Sequence, residues 1–459
     1  MATAQSYVRI LAFSLWLNLL TLSFSLTVTQ REQEDDTPIK RFQRYLRINT
    51  AHPSPDYTSA VSFLQAQAHS LGLQTKTLHF APGKPLLLLT WPGTHPSLPS
   101  LLLNSHLDSV PAEPAKWLHP PFAAHRTSDG RIFARGAQDD KCIAVQYLEA
   151  IRNLKAHSFS PRRTIHVSLV PDEEIGGLHG AAKFVESDHF RQLNVGFALD
   201  EGQASPGDEF RVFYADRIPW NVKIRARGSP GHGSRMFDSS AAENLMQSVE
   251  AVSRFRESQF DLVKAGKALN AEVVSVNPVY VKAGIASDDG FVMNVQPSEA
   301  EAGFDLRLTP TTDPEEMRRR IAAEWAPAVR NMSYEALTSP NYSFCDVILP
   351  GILSIGFKAS HHISWLQMGS VDGDTNIGII EKGPIRDDLG RPLMTATNDS
   401  NPWWSVFKQA ITSVGEKLSR PEILASTTDA RFLRQKGIPV LGFSPMKNTP
   451  ILLHDHNEV

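Results

Sequence analysis

Cysteine is nearly missing from this chain: Cys142 and Cys345 are the only two in 459 residues. That excludes a disulfide framework as the source of its stability. A basic excess is missing too, since 46 Lys and Arg stand against 49 Asp and Glu, a net charge of −3. No Lys/Arg stripe interleaves with aromatics, so a nucleic-acid surface is not expected. Internal repeats and low-complexity tracts are absent as well. Long apolar runs are confined to residues 10–26, "ILAFSLWLNLLTLSFSL", where Asn18, Thr21 and several serines break the pattern. A membrane span wants about 20 strongly apolar residues, and this run is shorter and softer. With Arg9 before it, small Ser23 and Ser25 near its end and the polar "TQREQEDD" behind, it reads as a secretory signal peptide over residues 1–25. The expected location is the secretory pathway (endoplasmic-reticulum lumen, vacuole or outside the cell), with no membrane attachment after cleavage. An uncleaved signal anchor is the alternative for the same segment, and if the segment is not used, the location is cytoplasmic. Sequons at Asn331, Asn341 and Asn398 would be available in that compartment.

What is present is an ordinary globular composition, 41% apolar and 21% charged, in a chain long enough for two domains. Helical patterns over "IKRFQRYLRI" and "YTSAVSFLQAQAHSLGL" lead into short apolar runs, "PLLLLTWPG", "SLLLNSHLD", "TIHVSLVPDEE" and "VGFALDEG". The helices "KCIAVQYLEAIRNLKA" and "GAAKFVESDHF" alternate with them. Continuous apolar strands between helices imply a mainly parallel sheet covered on both faces, with chemistry at the carboxyl ends of its strands. Near Ile218 the texture changes, because "WNVKIRARG" alternates with period two. Helices over about 239–256 and 313–330, and strands around 272–282, 291–295 and 300–308, complete an α+β unit. The fold class is α/β. A catalytic domain with a mainly parallel sheet flanked by helices spans 36–217 and 393–459. A smaller α+β lid/dimerisation domain, 218–392, interrupts it.

Acidic and imidazole groups gather where the strands of the larger domain end. "NSHLDS" carries His106 and Asp108, "ARGAQDDK" Asp139 and Asp140, "VPDEEIGG" Glu173 and Glu174, and "LDEG" Asp200 and Glu201; "LLHDH" adds His454. Singly, each is a loop residue. Together they form a ligand set of oxygen and imidazole without thiolate, which suits Zn2+, with Co2+ or Mn2+ as substitutes. Two divalent ions about 3.5–4 Å apart need a bridging carboxylate, two terminal ligands each, and a separate base to deprotonate the water held between them. Asp139 suits the bridge, His106 and Glu201 one ion, Glu174 and His454 the other, and Glu173 the base. Asp108, two residues after His106, is placed to orient its imidazole.

"SHLDSVP", "RGAQDDKC", "VPDEEIGGLHGAAKF", "LDEG", "GSPGHGSRM", "NPWW", "GFSPM" and "LLHDH" together resemble the aminoacylase-1 family within the M20 metallopeptidases. The resemblance runs from about Ile39 to the end. It implies the metal and base roles given above, and hydrolysis of N-acyl-L-amino acids by a homodimer joined through its lid. It adds His232, which in relatives sits on the lid and reaches the partner subunit's site to stabilise the oxyanion. Arg431 in "TTDARF" is the candidate for the substrate α-carboxylate, and Asn294 in "FVMNVQP" a lid-side polar contact. Arg307 and the His361–His362 pair read as strand and loop residues. Cys142, with no base placed for it, reads as a small apolar helix residue. A dipeptidase or carboxypeptidase of the same superfamily shares the metal residues and stays open, as does a catalytically silent chain that only dimerises.

Two stretches depart from the family pattern. Residues 336–380 interpose "FCDVILPGILSIGF" and "KASHHISWLQMGSVDGDTN" where the family runs straight into "EKGPIRDDLGRPLMT", and they read as an aberrant insertion. The chain also stops five residues beyond His454, where the family continues with helices. The expected consequence is an exposed core face and a His454 on a frayed end.

Overall fold

The computed structural model describes residues 36–336 and 384–459. The signal segment 1–25 and the insertion 336–380, apart from Ala336 itself, lie outside those residues, as do Asn341, Cys345 and the His361–His362 pair. Among the described residues no helix is long and apolar enough to cross a membrane.

The chain opens with α1, Pro38–Leu46, and α2, Tyr57–Ser70. Each starts where a side chain satisfies a free backbone amide: Thr37 accepts from Lys40, and Asp56 from Ser59. Gly72, at φ +63, follows α2 and adopts the left-handed turn that other residues resist. Strands β1 (Gln74–Ala81), β2 (Lys84–Trp91) and β3 (Ser100–His106) precede α3 (Lys141–Ala156), and β4 (Ile165–Val170) follows it. The helix expected over "GAAKFVESDHF" is two, α4 (Ala181–Glu186) and α5 (Asp188–Gln192). Ser187 separates them because its backbone is extended and its hydroxyl caps α5 by accepting from Phe190. Then come β5 (Val195–Asp200) and β6 (Phe213–Asp216).

From Ile218 a second unit begins with β7 (Ile218–Arg227), β8 (Gly231–His232), α6 (Ala241–Lys264) and β9 (Ser275–Ala283). It continues through β10 (Val295–Gln296), β11 (Glu299–Leu308), α7 (Pro314–Arg320) and β12 (Met332–Ala336). Here α6 is longer than its pattern predicts, and α7 is shorter. Ile321–Trp325 widens into a π-type turn that carries Trp325 into the core, and Pro327 interrupts the helix before a short 3-10 turn over Ala328–Arg330. The chain returns with α8 (Pro402–Ser413), β13 (Glu422–Leu424), α9 (Ala430–Gln435) and β14 (Val440–Gly442).

Eight strands form one sheet in the order β1-β2-β4-β3-β5-β14-β6-β13. Its centre, β4-β3-β5-β14, is parallel, as is the β6-β13 pair; β1-β2, β2-β4 and β14-β6 are antiparallel. Period-two geometry sends alternate side chains of β2 to opposite faces. Leu87 and Leu89 pack with Leu64, Ile143 and Leu148 from α2 and α3, whereas Leu86 and Leu88 pack with Phe184, Phe190 and Phe432 from α4, α5 and α9. Both faces are therefore sealed, and polar side chains within the central strands pair with one another, as Asn104 of β3 with Ser168 of β4 and Asp200 of β5. The smaller sheet, β9-β11-β7-β12, is antiparallel throughout and buries Trp220, Phe304, Leu245 and Trp325 in a core of its own.

Candidate dinuclear metal centre

The carboxyl ends of β3, β4 and β5 bring three of the predicted loops together. His106 is the last residue of β3, and Glu201 follows the last residue of β5. Glu173 and Glu174 form a short 3-10 turn beyond β4. Asp139 is different from its expected setting at a strand end: it lies in the run of turns that opens α3. The neighbouring carboxylate of Asp140 ties that turn to β3 by accepting from the Ser105 hydroxyl at 3.0 Å and the His106 amide at 3.2 Å. The peptide between Asp139 and Asp140 is cis.

Two triads result, each with one donor atom per residue and all atoms within 4.8 Å of one another. His106, Asp139 and Glu201 make the first; Asp139, Glu174 and His454 make the second. Asp139 turns one oxygen to each imidazole, Oδ1 to His106 Nε2 at 3.0 Å and Oδ2 to His454 Nε2 at 3.2 Å. Glu174 Oε2 lies 3.0 Å from His454 Nε2, and Glu201 Oε2 lies 3.7 Å from His106 Nε2. One carboxylate shared between two triads is the donor set that a pair of divalent ions requires.

The protonation energetics point the same way. Burial alone would lower the His106 imidazole, yet the facing Asp140 and Glu201 carboxylates and its contacts with Asp108 and Asp139 raise it well above the ordinary range. Bonds to Asp139 and Glu174 push His454 up to about 10. Burial, followed by the Asp139 charge, raises Glu201 and Glu174. Burial raises Asp139 as well, but its bonds to the His106 and His454 imidazoles outweigh that and hold it below the ordinary carboxylate range. The cluster thus balances its buried acids with imidazole protons, a positive charge that divalent cations would supply in their place.

Glu173 stands apart from both triads. Its carboxylate is almost fully buried, 3.9 Å from Arg431 Nη1, and burial together with the Asp429 carboxylate raises it well above the usual range. Asp108 does more than its spacing predicts. Its backbone carbonyl faces His106 Nδ1 at 2.9 Å and fixes that ring, leaving Nε2 toward the cluster. Its carboxylate accepts from the Glu173 and Glu174 amides at 3.2 Å each and pairs with His52 Nε2 at 2.8 Å. Sequence reasoning misses His52, whose only signal there is one imidazole before a proline.

Arg431 is buried on α9, where its guanidinium donates to the carbonyls of Thr428 and Gly176 at 2.6 and 2.8 Å. Its Nε finds no partner among the described residues. Asp429, two residues earlier, is fully buried with neither carboxylate oxygen hydrogen-bonded, a feature that "TTDARF" does not disclose. His232 and Asn294 lie on the smaller unit. β8 pairs with β10 so that His232 faces Val295, while Gly233 donates to the Asn294 carbonyl at 2.7 Å. His232 is exposed, with Nδ1 2.8 Å from the Ser234 hydroxyl, and no hydrogen bond or ion pair joins it to the triads among the described residues. Cys142 is buried and its thiol faces the Gln138 carbonyl, consistent with a small helix residue. The chain's end is fastened, contrary to the expected fraying. Gln138 Nε2 donates to the carbonyls of Pro450 and Val459, at 2.9 and 2.7 Å, and Glu458 is fully buried.

Comparison with known proteins agrees with this arrangement. Human aminoacylase-1 is 39% identical over 433 residues, spanning 94% of this chain and 92% of its own. The fold is similar to that of an M20 metallo-carboxypeptidase from Sulfolobus solfataricus, at a TM-score of 0.61 and 15% identity over 92% of this chain and 94% of that one. It is also similar to a dinuclear metal-binding M20 peptidase of Bacillus subtilis, at a TM-score of 0.54 and 12% identity over 91% and 90%. Residues 102–459 match the model of peptidase family M20/M25/M40, to which this chain belongs.

Proposed function

We propose that the chain hydrolyses N-acyl-L-amino acids to an L-amino acid and a carboxylate at the cluster around Asp139. One observation carries this reading: two triads share Asp139 beside an uncommitted, buried Glu173, in a chain 39% identical to an aminoacylase across nearly its whole length. We assign His106, Asp139 and Glu201 to one ion and Asp139, Glu174 and His454 to the other, with zinc as the metal. When bound, such ions polarise the amide carbonyl and acidify water.

The chain's own residues do the rest. Glu173 takes a proton from the attacking water as the new C–O bond forms, and delivers it to the amide nitrogen as the C–N bond breaks. Its high proton affinity in the buried site suits both halves of that task. Asp108 holds the Glu173 and Glu174 amides, so the base and the ligand keep a fixed spacing. Arg431, whose guanidinium lies beside Glu173 with Nε unpaired among the described residues, is the cation we assign to the substrate α-carboxylate. His232 and Asn294, together on an exposed ribbon, supply the oxyanion donor and a polar contact from the lid of a second copy. The outer strand β9 supports such a homodimer, because Val279 and Val281 on it are 68% and 59% exposed. The apolar run at residues 10–26 supports entry into the secretory pathway, which a signal-cleavage assay tests.

A dipeptidase activity is the weaker reading, because the peptidases among the structural relatives share only 12–16% identity and so speak to fold alone. Turnover of N-acetyl-L-methionine beside that of an unblocked dipeptide decides between them. Preference for the acylated substrate is the expected result; a dipeptide turned over faster would reverse the assignment.

A further inference from the structure

We infer that Glu458 is a positioning residue that locks the loop carrying Asp139 to the segment carrying His454, and so sets the geometry of the second triad. The inference rests on the metal-centre reading above. An ionised carboxylate offers about four acceptor sites, and here four donors occupy them. Oε1 accepts from the amides of Gln138 at 2.7 Å and Asp139 at 3.1 Å; Oε2 accepts from the amide of Gly136 at 3.1 Å and from Arg135 Nη1 at 2.7 Å. The backbone of the shared ligand therefore hangs directly on Glu458.

Arg135 extends the clamp to the other loop. It is buried, its Nη2 lies 3.4 Å from the His454 carbonyl, and its guanidinium stacks over Trp117. Gln138, next to Asp139 in sequence, holds the same segment at both ends, through Pro450 and Val459, and also accepts from the Leu452 amide at 3.1 Å. His454 needs this support because its side chain is 53% exposed and its ring is held by Asp139 and Glu174 at Nε2. Its backbone, at φ +61, is set by the chain on either side. Without the Glu458 carboxylate, the two loops that meet at the Asp139–His454 contact keep the Gln138 bonds, the Arg135 contact with the His454 carbonyl and the Ala134 amide on the Glu458 carbonyl at 3.1 Å, none of which holds the Asp139 backbone.

A residue that only anchored the chain's end would change thermal stability and leave the ion sites alone. The two roles separate in a cobalt titration of metal-free protein, read by the d–d absorption of the bound ion and by competition with a chromophoric chelator. Glu458→Gln replaces an acceptor oxygen by a donor and leaves Arg135 unpaired. Glu458→Asp keeps the charge and the Arg135 pairing, but is one methylene too short to reach all four donors, so it serves if the first variant does not fold. The expected result is two cobalt ions per wild-type chain, and in the variants one of the two bound about 10–100-fold more weakly with an altered d–d spectrum. Two ions bound with wild-type affinity and spectrum in a folded variant would overturn the clamp and leave the metal centre standing. A folded wild-type chain that binds no cobalt would remove both.

Discussion

At the scale of single residues, the proposed chemistry depends on one carboxylate being kept out of both triads. Glu173 and Glu174 are adjacent, yet only Glu174 has a donor atom in a triad, while Glu173 lies toward Arg431. Replacing Glu173 by Gln keeps the volume and removes the proposed base. Turnover should fall by at least about 100-fold with metal content unchanged, as steady-state kinetics and metal analysis on one preparation will show. Retained turnover would assign the proton transfer elsewhere. His106, Glu174 and Glu201 are legible from the ends of apolar strands, where burying acids is costly unless a cation offsets their charge. Asp139 and His454 are legible only through the ligand set they complete, since neither lies at a strand end. Asp429 and Glu458 are not legible. Each is one acid among many, and only the closing of the fold turns it into an orphan carboxylate or a fourfold acceptor.

At the scale of elements, packing decides where the helices and strands end. The β2 leucines are readable as a buried strand, and their alternation between two cores follows from the pleat. The division at Ser187 and the early end of α7 are not readable, because a cap and a buried Trp325 outweigh helical periodicity. β1 also escapes notice, since an edge strand of mixed polarity has no apolar run. One element carries a pH signature of its own. His166 of β4 is buried against Thr90 Oγ1, and burial pushes its imidazole down to about 4. Its unfolded value is about 6.5, so between the two the unfolded chain binds more protons and stability falls as pH falls. The loss reaches up to about 3 kcal/mol near pH 4 and vanishes above about pH 6.5. Urea melts of the metal-free protein across that window should steepen with acid, and His166→Gln should flatten the slope. An unchanged slope would mean that other groups govern the acid limb.

At the scale of the whole molecule, the candidate residues fall on two units. The larger sheet gathers the triads and Glu173, whereas His232 and Asn294 sit on a ribbon of the smaller unit, with no bond to the triads among the described residues. A site completed by a second copy predicts complementation. Mixing inactive His232→Ala chains with inactive Glu173→Gln chains should restore about a quarter of wild-type turnover, because half of random dimers contain one fully furnished site. Mixtures that stay inactive would place His232 outside the reaction.

Amide hydrolysis by this chain stands or falls with a pair of divalent ions held by the two triads around Asp139. Metal content and N-acetyl-L-methionine hydrolysis should be measured on one wild-type preparation before and after exhaustive chelation, and again after zinc is restored. The expected result is two ions per chain, loss of activity with loss of metal, and recovery with zinc. Hydrolysis that survives complete metal removal would contradict it.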